Sequence, residues 1–207
     1  MEAKDYLQDI QDIKSIMNQS SRFISLSGLS GVLAGIYSLI GAWFAYTTIY
    51  FDTSTMGNYR NLVISEAAVI RLFVIAATVI LLSMITGIAL SIRKAKKSND
   101  KVWNVSSKRL VINFAIPLLT GGFFILFLIE KEILSLVAPL TLLFYGLACV
   151  NASKYTLGDV RYLGITMIIL GLLSTWFLGY GLLFWALGFG VCHIVYGSMM
   201  YFKYERD

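Results

Sequence analysis

The chain has 207 residues, of which 57% are hydrophobic and only 14% charged, and its formal net charge is +5. A soluble domain carries about a quarter charged residues. Here the apolar residues come in runs of about 20, the length that crosses roughly 30 Å of hydrocarbon. These values exclude a soluble globular domain. The basic excess lies beside the apolar runs, so the inside-positive bias of membrane proteins explains it, and no nucleic-acid partner is predicted.

A basic stretch in the middle of the chain, residues 93–109, orients the whole sequence. It holds seven Lys or Arg residues and one acid, Asp100. Loops rich in Lys and Arg stay on the cytoplasmic side of a membrane, and fixing one loop fixes the side of every other. The topology that follows has six spans and both termini in the cytoplasm. It places 14 of the 17 basic residues inside and three outside.

Residues 1–21 precede the first apolar run and form the first predicted domain, a cytoplasmic amphipathic helix. Its apolar stripe recurs at helical spacings and consists of Tyr6, Ile10, Ile13 and Met17. Residues 2–14 carry four acids against two lysines, whereas helices that lie on anionic lipid are usually basic. We therefore expect the stripe to dock on protein. A solvated helix with one apolar side is the alternative.

Residues 22–207 form the second predicted domain, a bundle of six transmembrane helices. The fold class is therefore an all-α polytopic membrane bundle, in contact with the lipid bilayer. The predicted spans cover residues 23–49, 67–92, 110–129, 133–151, 162–178 and 182–202. A repeat of three helical hairpins is a further hypothesis, because spans one, three and five each follow an arginine. Inside-positive bias alone also places an arginine at each of those points.

Small residues and prolines indicate where these helices pack or bend. Gly31 and Gly35 lie four residues apart in span one, a spacing that lets helix backbones approach closely in lipid. The close contact is either within one subunit or across a homodimer. The only two prolines, Pro117 and Pro139, fall in spans three and four. Proline removes a helical hydrogen bond and bends the helix, so we expect two kinks, made either for packing or to widen a cavity.

Four polar residues within the spans or at their edges are the candidate ligand-binding residues: His193, Asn113, Arg71 and Tyr145. His193 is the only histidine and lies near the middle of span six, where an ionisable group is costly and therefore a functional candidate. A structural histidine that bridges two helices is the alternative. Arg71 either extends its charge to the outer headgroups or pairs inside the bundle.

Signatures of catalysis and of metal binding are absent from the sequence. It has no GxSxG, HExxH or P-loop motif and no Asp/Glu pair within a span. A single histidine excludes bis-histidine haem ligation and a histidine-cluster metal site. We therefore predict no catalytic residue, no metal and no cofactor. The favoured function is a non-enzymatic membrane protein that acts through interactions, as a sensor, scaffold or accessory subunit. A small-solute or ion transporter or channel with a polar site near His193 is the alternative.

Two stretches carry a resemblance to known proteins: Arg22-Phe23-Ile24-Ser25-Leu26-Ser27-Gly28, which enters span one, and the Gly-aromatic last hairpin from Gly179 to Tyr196. In these stretches and in its helical N-terminus the chain resembles uncharacterised bacterial six-span inner-membrane proteins. The resemblance implies location in a bacterial inner membrane. It implies no defined activity and assigns no functional residues.

Overall fold

The structure is a computed structural model that describes residues 23–50, 65–98 and 102–206. The described residues form helices and turns and contain no β-strand. The predicted amphipathic helix lies outside the described residues, together with its stripe of Tyr6, Ile10, Ile13 and Met17. Most of the loop between the first two spans also lies outside them.

Six helices are long and apolar enough to cross a membrane, the number that the sequence predicts. They are α1 (Gly28–Tyr50), α2 (Glu66–Lys97), α3 (Val105–Glu130), α4 (Val137–Ala152), α5 (Asp159–Trp176) and α6 (Gly181–Tyr204), and the fourth span reaches from Leu134 to Tyr155 when the turns on either side of α4 are included. Short 3-10 turns, Leu134–Leu136 and Ser153–Tyr155, flank α4. The last helix, α6, is π-helical over Ala186–Cys192 and α-helical on either side.

The first helix begins at Gly28, whereas the apolar run predicts a start at Phe23. Residues 23–27 are instead non-helical, and Phe23 bonds to the connection between α4 and α5. The Phe23 N–H donates to Tyr155 O over 2.8 Å, and the Thr156 hydroxyl donates to Phe23 O over 2.8 Å. Because these bonds satisfy both backbone groups of Phe23, the segment needs no helical hydrogen bonds there.

The six helices alternate in direction, so one end of the bundle holds the starts of α1, α3 and α5 and the ends of α2, α4 and α6. We call this the basic end, because most of the described basic residues lie there: Arg93, Lys94, Lys96, Lys97, Lys108, Arg109, Lys154, Arg161, Lys203 and Arg206. The opposite end carries Arg71 and Lys131. The structure therefore separates charge between the two ends as the inside-positive rule requires.

The helices contact one another in the order α2, α1, α6, then α4 and α5, then α3. In this arrangement α2 packs on α1, and α3 packs on α4. Although α2 and α3 follow each other in sequence, they do not pack extensively against each other within the described residues. They therefore flank a centre made of α1, α4, α5 and α6.

Glycines set the close approach of the central helices. A Cβ added at Gly31 would lie 3.1 Å from Gly197 Cα, and one added at Gly35 would lie 2.7 Å from Gly190 O, both on α6. The small-residue spacing in α1 is thus used within the chain. A homodimer through this same face would require α6 to move away from it.

The two prolines differ in their effect on the backbone. Pro117 lies inside α3 and has no N–H for Asn113 O. Asn151 Nδ2 of α4 donates to that oxygen instead, over 2.9 Å. Pro139 lies in the first turn of α4, where a backbone N–H has no helical partner in any case. The prediction of a second kink at Pro139 is therefore wrong, because the helix begins only two residues before it.

Candidate functional site

A polar pair lies at the centre of the bundle, formed by His193 of α6 and Tyr145 of α4. The Tyr145 hydroxyl lies 2.8 Å from His193 Nε2, and His193 Nδ1 lies 3.0 Å from Gly188 O. Because a carbonyl oxygen only accepts, Nδ1 carries a proton, and in a neutral imidazole Nε2 then accepts from the Tyr145 hydroxyl. The neutral imidazole thus has both of its nitrogens bonded.

The π-helical segment of α6 supplies the carbonyl for this histidine. Gly188 precedes His193 by five residues, the spacing of π-helical backbone bonds. An added Cβ at Gly188 would collide with Leu142 and lie 3.1 Å from Met167 Sδ. A larger residue at this level would therefore require the Leu142 and Met167 side chains to shift.

Aromatic side chains enclose the polar pair. Phe189 stacks on the His193 ring with centroids 5.8 Å apart and meets the Tyr145 ring edge-on at 5.0 Å. Phe114 of α3 contacts Tyr145 edge-on from the other side, at 5.8 Å. His193 is only 6% exposed. A buried imidazole with both nitrogens bonded is typical of a histidine that bridges helices.

The other two candidate ligand-binding residues lie apart from this pair. Asn113 Nδ2 donates to Arg109 O, 2.8 Å away and one turn earlier in α3. Arg71 is exposed near the start of α2, at the opposite end of the bundle. The structure therefore brings Tyr145 and His193 together and does not join Asn113 or Arg71 to them in one site.

A second polar cluster, centred on Glu205 at the basic end, was missed by the sequence analysis. The Glu205 carboxylate accepts a hydrogen bond from the N–H of Gly28, the first residue of α1. It also accepts from Ser27 Oγ and from Lys94 Nζ, and both of these distances are 3.2 Å. Lys94 Nζ also donates to Leu26 O over 2.9 Å. A carboxylate is favourable at a helix N-terminus because unpaired N–H groups and the helix dipole face it. Glu205 thus joins the ends of α1, α2 and α6.

Neither polar cluster has the composition of a metal site. Within the described ranges, no group of three or more His, Cys, Asp or Glu side chains is placed to hold a metal ion. Both cysteines are free thiols, and Cys149 is buried one turn after Tyr145 in α4. The Tyr145–His193 pair offers one hydroxyl and one imidazole that are already bonded to each other.

Two clefts of about 400 Å³ open on the sides of the bundle. One lies between α3 and α4 and reaches from Pro117 to Lys154 at the basic end. The other lies between α1 and α6 at the opposite end and is lined by Trp43 and Tyr180 among others. Neither cleft is lined by Tyr145 or His193.

No protein family, curated protein or solved structure matches this chain. The resemblance to bacterial six-span inner-membrane proteins therefore stays a prediction.

Proposed function

We propose that this chain is a non-enzymatic integral membrane protein that acts through interactions, as a sensor, scaffold or accessory subunit. The observation that carries the proposal is the closed centre formed by Tyr145, His193 and Gly188. A transporter or channel presents polar groups to a path that its solute can follow. Here His193 is 6% exposed, and both of its ring nitrogens are hydrogen-bonded to protein groups. This geometry supports interaction over solute movement.

The proposed membrane is a bacterial inner membrane, with the basic end and both termini in the cytoplasm. The 14-to-3 division of basic residues supports this orientation. Reporter fusions at Asp207 and at Gly57 should show opposite sidedness, and the same side for both would contradict it.

Thiol labelling tests whether the centre is closed. In a Cys192→Ala chain, Cys149 is the only thiol left, and it is 2% exposed beside the polar pair. We expect a water-soluble methanethiosulfonate reagent to leave Cys149 unmodified in intact membranes and to modify it after unfolding in SDS. A positive control is Ser98→Cys in a chain without Cys149 and Cys192, since residue 98 is exposed at the end of α2. Modification of native Cys149 at the rate of the control would favour the transporter or channel.

Site-specific photo-crosslinking tests the interaction itself. We propose the N-terminal stripe as the contact surface, so a photoreactive residue at Ile10 or Ile13 should crosslink to protein. Gln8 and Asp12 lie on the opposite face of the predicted helix and serve as matched controls. Equal crosslinking from both faces would contradict a specific docking stripe.

A further inference from the structure

We propose that the cleft between α3 and α4 binds one anionic phospholipid, with the headgroup phosphate at Lys154 and an acyl chain along the apolar walls. This inference goes beyond the proposed function and needs only one part of it, that the helices lie in a bilayer. The ligand is a membrane lipid, and a free phosphate is an outcome that the experiment distinguishes.

The dimensions of the cleft match one leaflet of a membrane. Along α4 the lining runs from Phe144 to Lys154, which at about 1.5 Å per residue corresponds to about 15 Å. The hydrocarbon core of a bilayer is about 30 Å thick, so the cleft covers about half of it, starting from the basic end. Its volume of about 400 Å³ lies within the range of ligand-binding clefts.

Two contacts between α3 and α4 hold the cleft open on either side of Pro117. Towards the middle of the bundle, Gly121 packs directly on the Phe144 side chain. Towards the basic end, the oxygen of Asn113 that Pro117 leaves without a helical donor accepts from Asn151 Nδ2. The apolar part of the cleft lies between these two contacts, which fix the distance between α3 and α4 there, and Lys154 lies about one turn beyond Asn151 at the basic end.

The walls of the cleft are apolar, and its charge lies at one end. Leu147, at the rim, is 46% exposed, so the cleft is open to the side where the lipid chains lie. Lys154 is exposed at the basic end and makes no hydrogen bond or ion pair with any described residue. An apolar slot with one cation at headgroup level has the shape and charge of an anionic lipid.

At the basic end, α3 carries Lys108 and Arg109, and neither α3 nor α4 carries an acidic residue there. Arg109 lies one turn beyond Asn113 at the start of α3, and α4 contains no acidic residue. The nearest acid in sequence, Asp159, already accepts from Lys203 Nζ over 3.0 Å and from the Tyr204 hydroxyl over 2.8 Å. Lys154 therefore remains available for a phosphate.

The cleft between α1 and α6 provides an internal comparison. It has a similar volume, about 410 Å³, but lies at the opposite end, and its lining has aromatic residues and no charged side chain. We expect a lipid chain there to show no preference for an anionic headgroup. The preference should belong to the α3–α4 cleft alone.

The experiment uses the full chain, purified in a nonionic detergent and freed of bound lipid, with binding counted by native mass spectrometry. Phosphatidylglycerol is the anionic probe, phosphatidylcholine the zwitterionic one, and glycerol phosphate the headgroup without chains. We expect Lys154→Gln to weaken phosphatidylglycerol binding about fivefold, the equivalent of about 1 kcal/mol per basic residue near a membrane surface. Lys96→Gln removes the same charge at the same end but on α2, and we expect no change.

A second pair of variants tests the apolar wall. Leu147→Trp places bulk inside the cleft and should reduce phosphatidylglycerol binding, whereas Leu119→Trp, at a residue 60% exposed on α3 and outside the lining, should not. The proposal is overturned if phosphatidylcholine binds as tightly as phosphatidylglycerol, if Lys96→Gln weakens binding as much as Lys154→Gln, or if glycerol phosphate displaces the lipid. Each of these results leaves the proposed interaction function untouched, because that function rests on the closed centre and not on this cleft.

Discussion

The central helices and the flanking helices of this protein are built from similar residues but pack in different ways. In the centre, a Cβ added at Gly197 of α6 would lie 2.8 Å from Gly28 O and 2.6 Å from Val32 N of α1. On the flanks, a Cβ added at Gly87 of α2 or Gly122 of α3 would meet nothing within 4 Å. A glycine in one of these helices therefore marks close packing only where another helix lies against it.

The apolar content of the helices is highest on the flanks, where the packing is loosest. The flanking helices α2 and α3 are the most apolar of the six spans, and α5 is the least, yet α5 buries a larger share of its residues inside the protein. Lipid chains are as apolar as leucine, so burial between helices gains little from hydrophobicity in a membrane, and close contact of backbones decides. The comparison teaches that the most apolar helices are the least buried, and that close backbone contacts, rather than apolar content, distinguish the centre of the bundle.

The largest effect should come from adding a methyl group to the central packing. We expect Gly197→Ala to lower the free energy of unfolding by about 1–3 kcal/mol, since backbone atoms of α1 would have to move. Gly87→Ala is the matched control in α2 and should leave stability unchanged or raise it by up to about 1 kcal/mol through helix propensity. Unfolding in SDS, followed by circular dichroism, measures both. Equal losses in the two variants would remove the distinction between centre and flank.

A smaller effect should come from the polar pair at the centre. His193→Leu leaves the Tyr145 hydroxyl without its acceptor, and we expect a loss of about 1 kcal/mol. His193→Gln should keep most of the stability, because an amide can replace the hydrogen bond. Adding Tyr145→Phe to His193→Leu should then cost less than Tyr145→Phe alone. If His193→Leu has unchanged thermal stability in detergent, the pair does not hold α4 and α6 together.

The smallest effect should come from the contact that joins a flank to the centre at the basic end. Glu205→Ala removes the acceptor for the Gly28 N–H and the ion-pair partner of Lys94. The side chains of Glu205 and Lys94 are both mostly buried. We expect a loss of about 0.5–1 kcal/mol and faster hydrogen exchange over residues 90–97 of α2. The exposed Lys203–Asp159 pair is the control, and Lys203→Gln should change neither quantity. Unchanged exchange in Glu205→Ala would show that α1 alone holds α2.

The number of helices and their direction follow from the sequence because length and charge are local properties. An apolar run of about 20 residues and a basic loop identify spans and sides without any knowledge of neighbours. The bounds of α1 are less predictable, since Phe23 continues the apolar run but lies outside the helix, where its backbone bonds to Tyr155 and Thr156. The start of α4 is equally hard to predict, because nothing in the neighbouring sequence distinguishes Pro139, which lies in the first turn of a helix, from Pro117, which lies inside one.

The polar contacts were less predictable than the helices, since each of them joins residues that are distant in sequence. His193 and Tyr145 were both recognised as polar groups within spans, but their pairing depends on how α6 lies on α4. Glu205 is 177 residues from Gly28, so neither residue predicts the other. The glycines of α1 predicted a close contact and left open whether its partner was another helix of the same chain or a second copy.

The π-helical segment of α6 determines where this helix can lose a residue. A π turn is wider than an α turn and behaves as one extra residue absorbed within an otherwise regular helix. Deleting one residue between 186 and 192 should therefore return the segment to α-helical form and leave Gly197 in its place against α1. The same deletion after His193 would rotate the rest of α6 by about 100° and turn Gly197 away from Gly28. The first deletion would free Gly188 O from the His193 ring to bond a backbone N–H, and it would also shift the contacts of Gly188 with Leu142 and of Gly190 with Gly35.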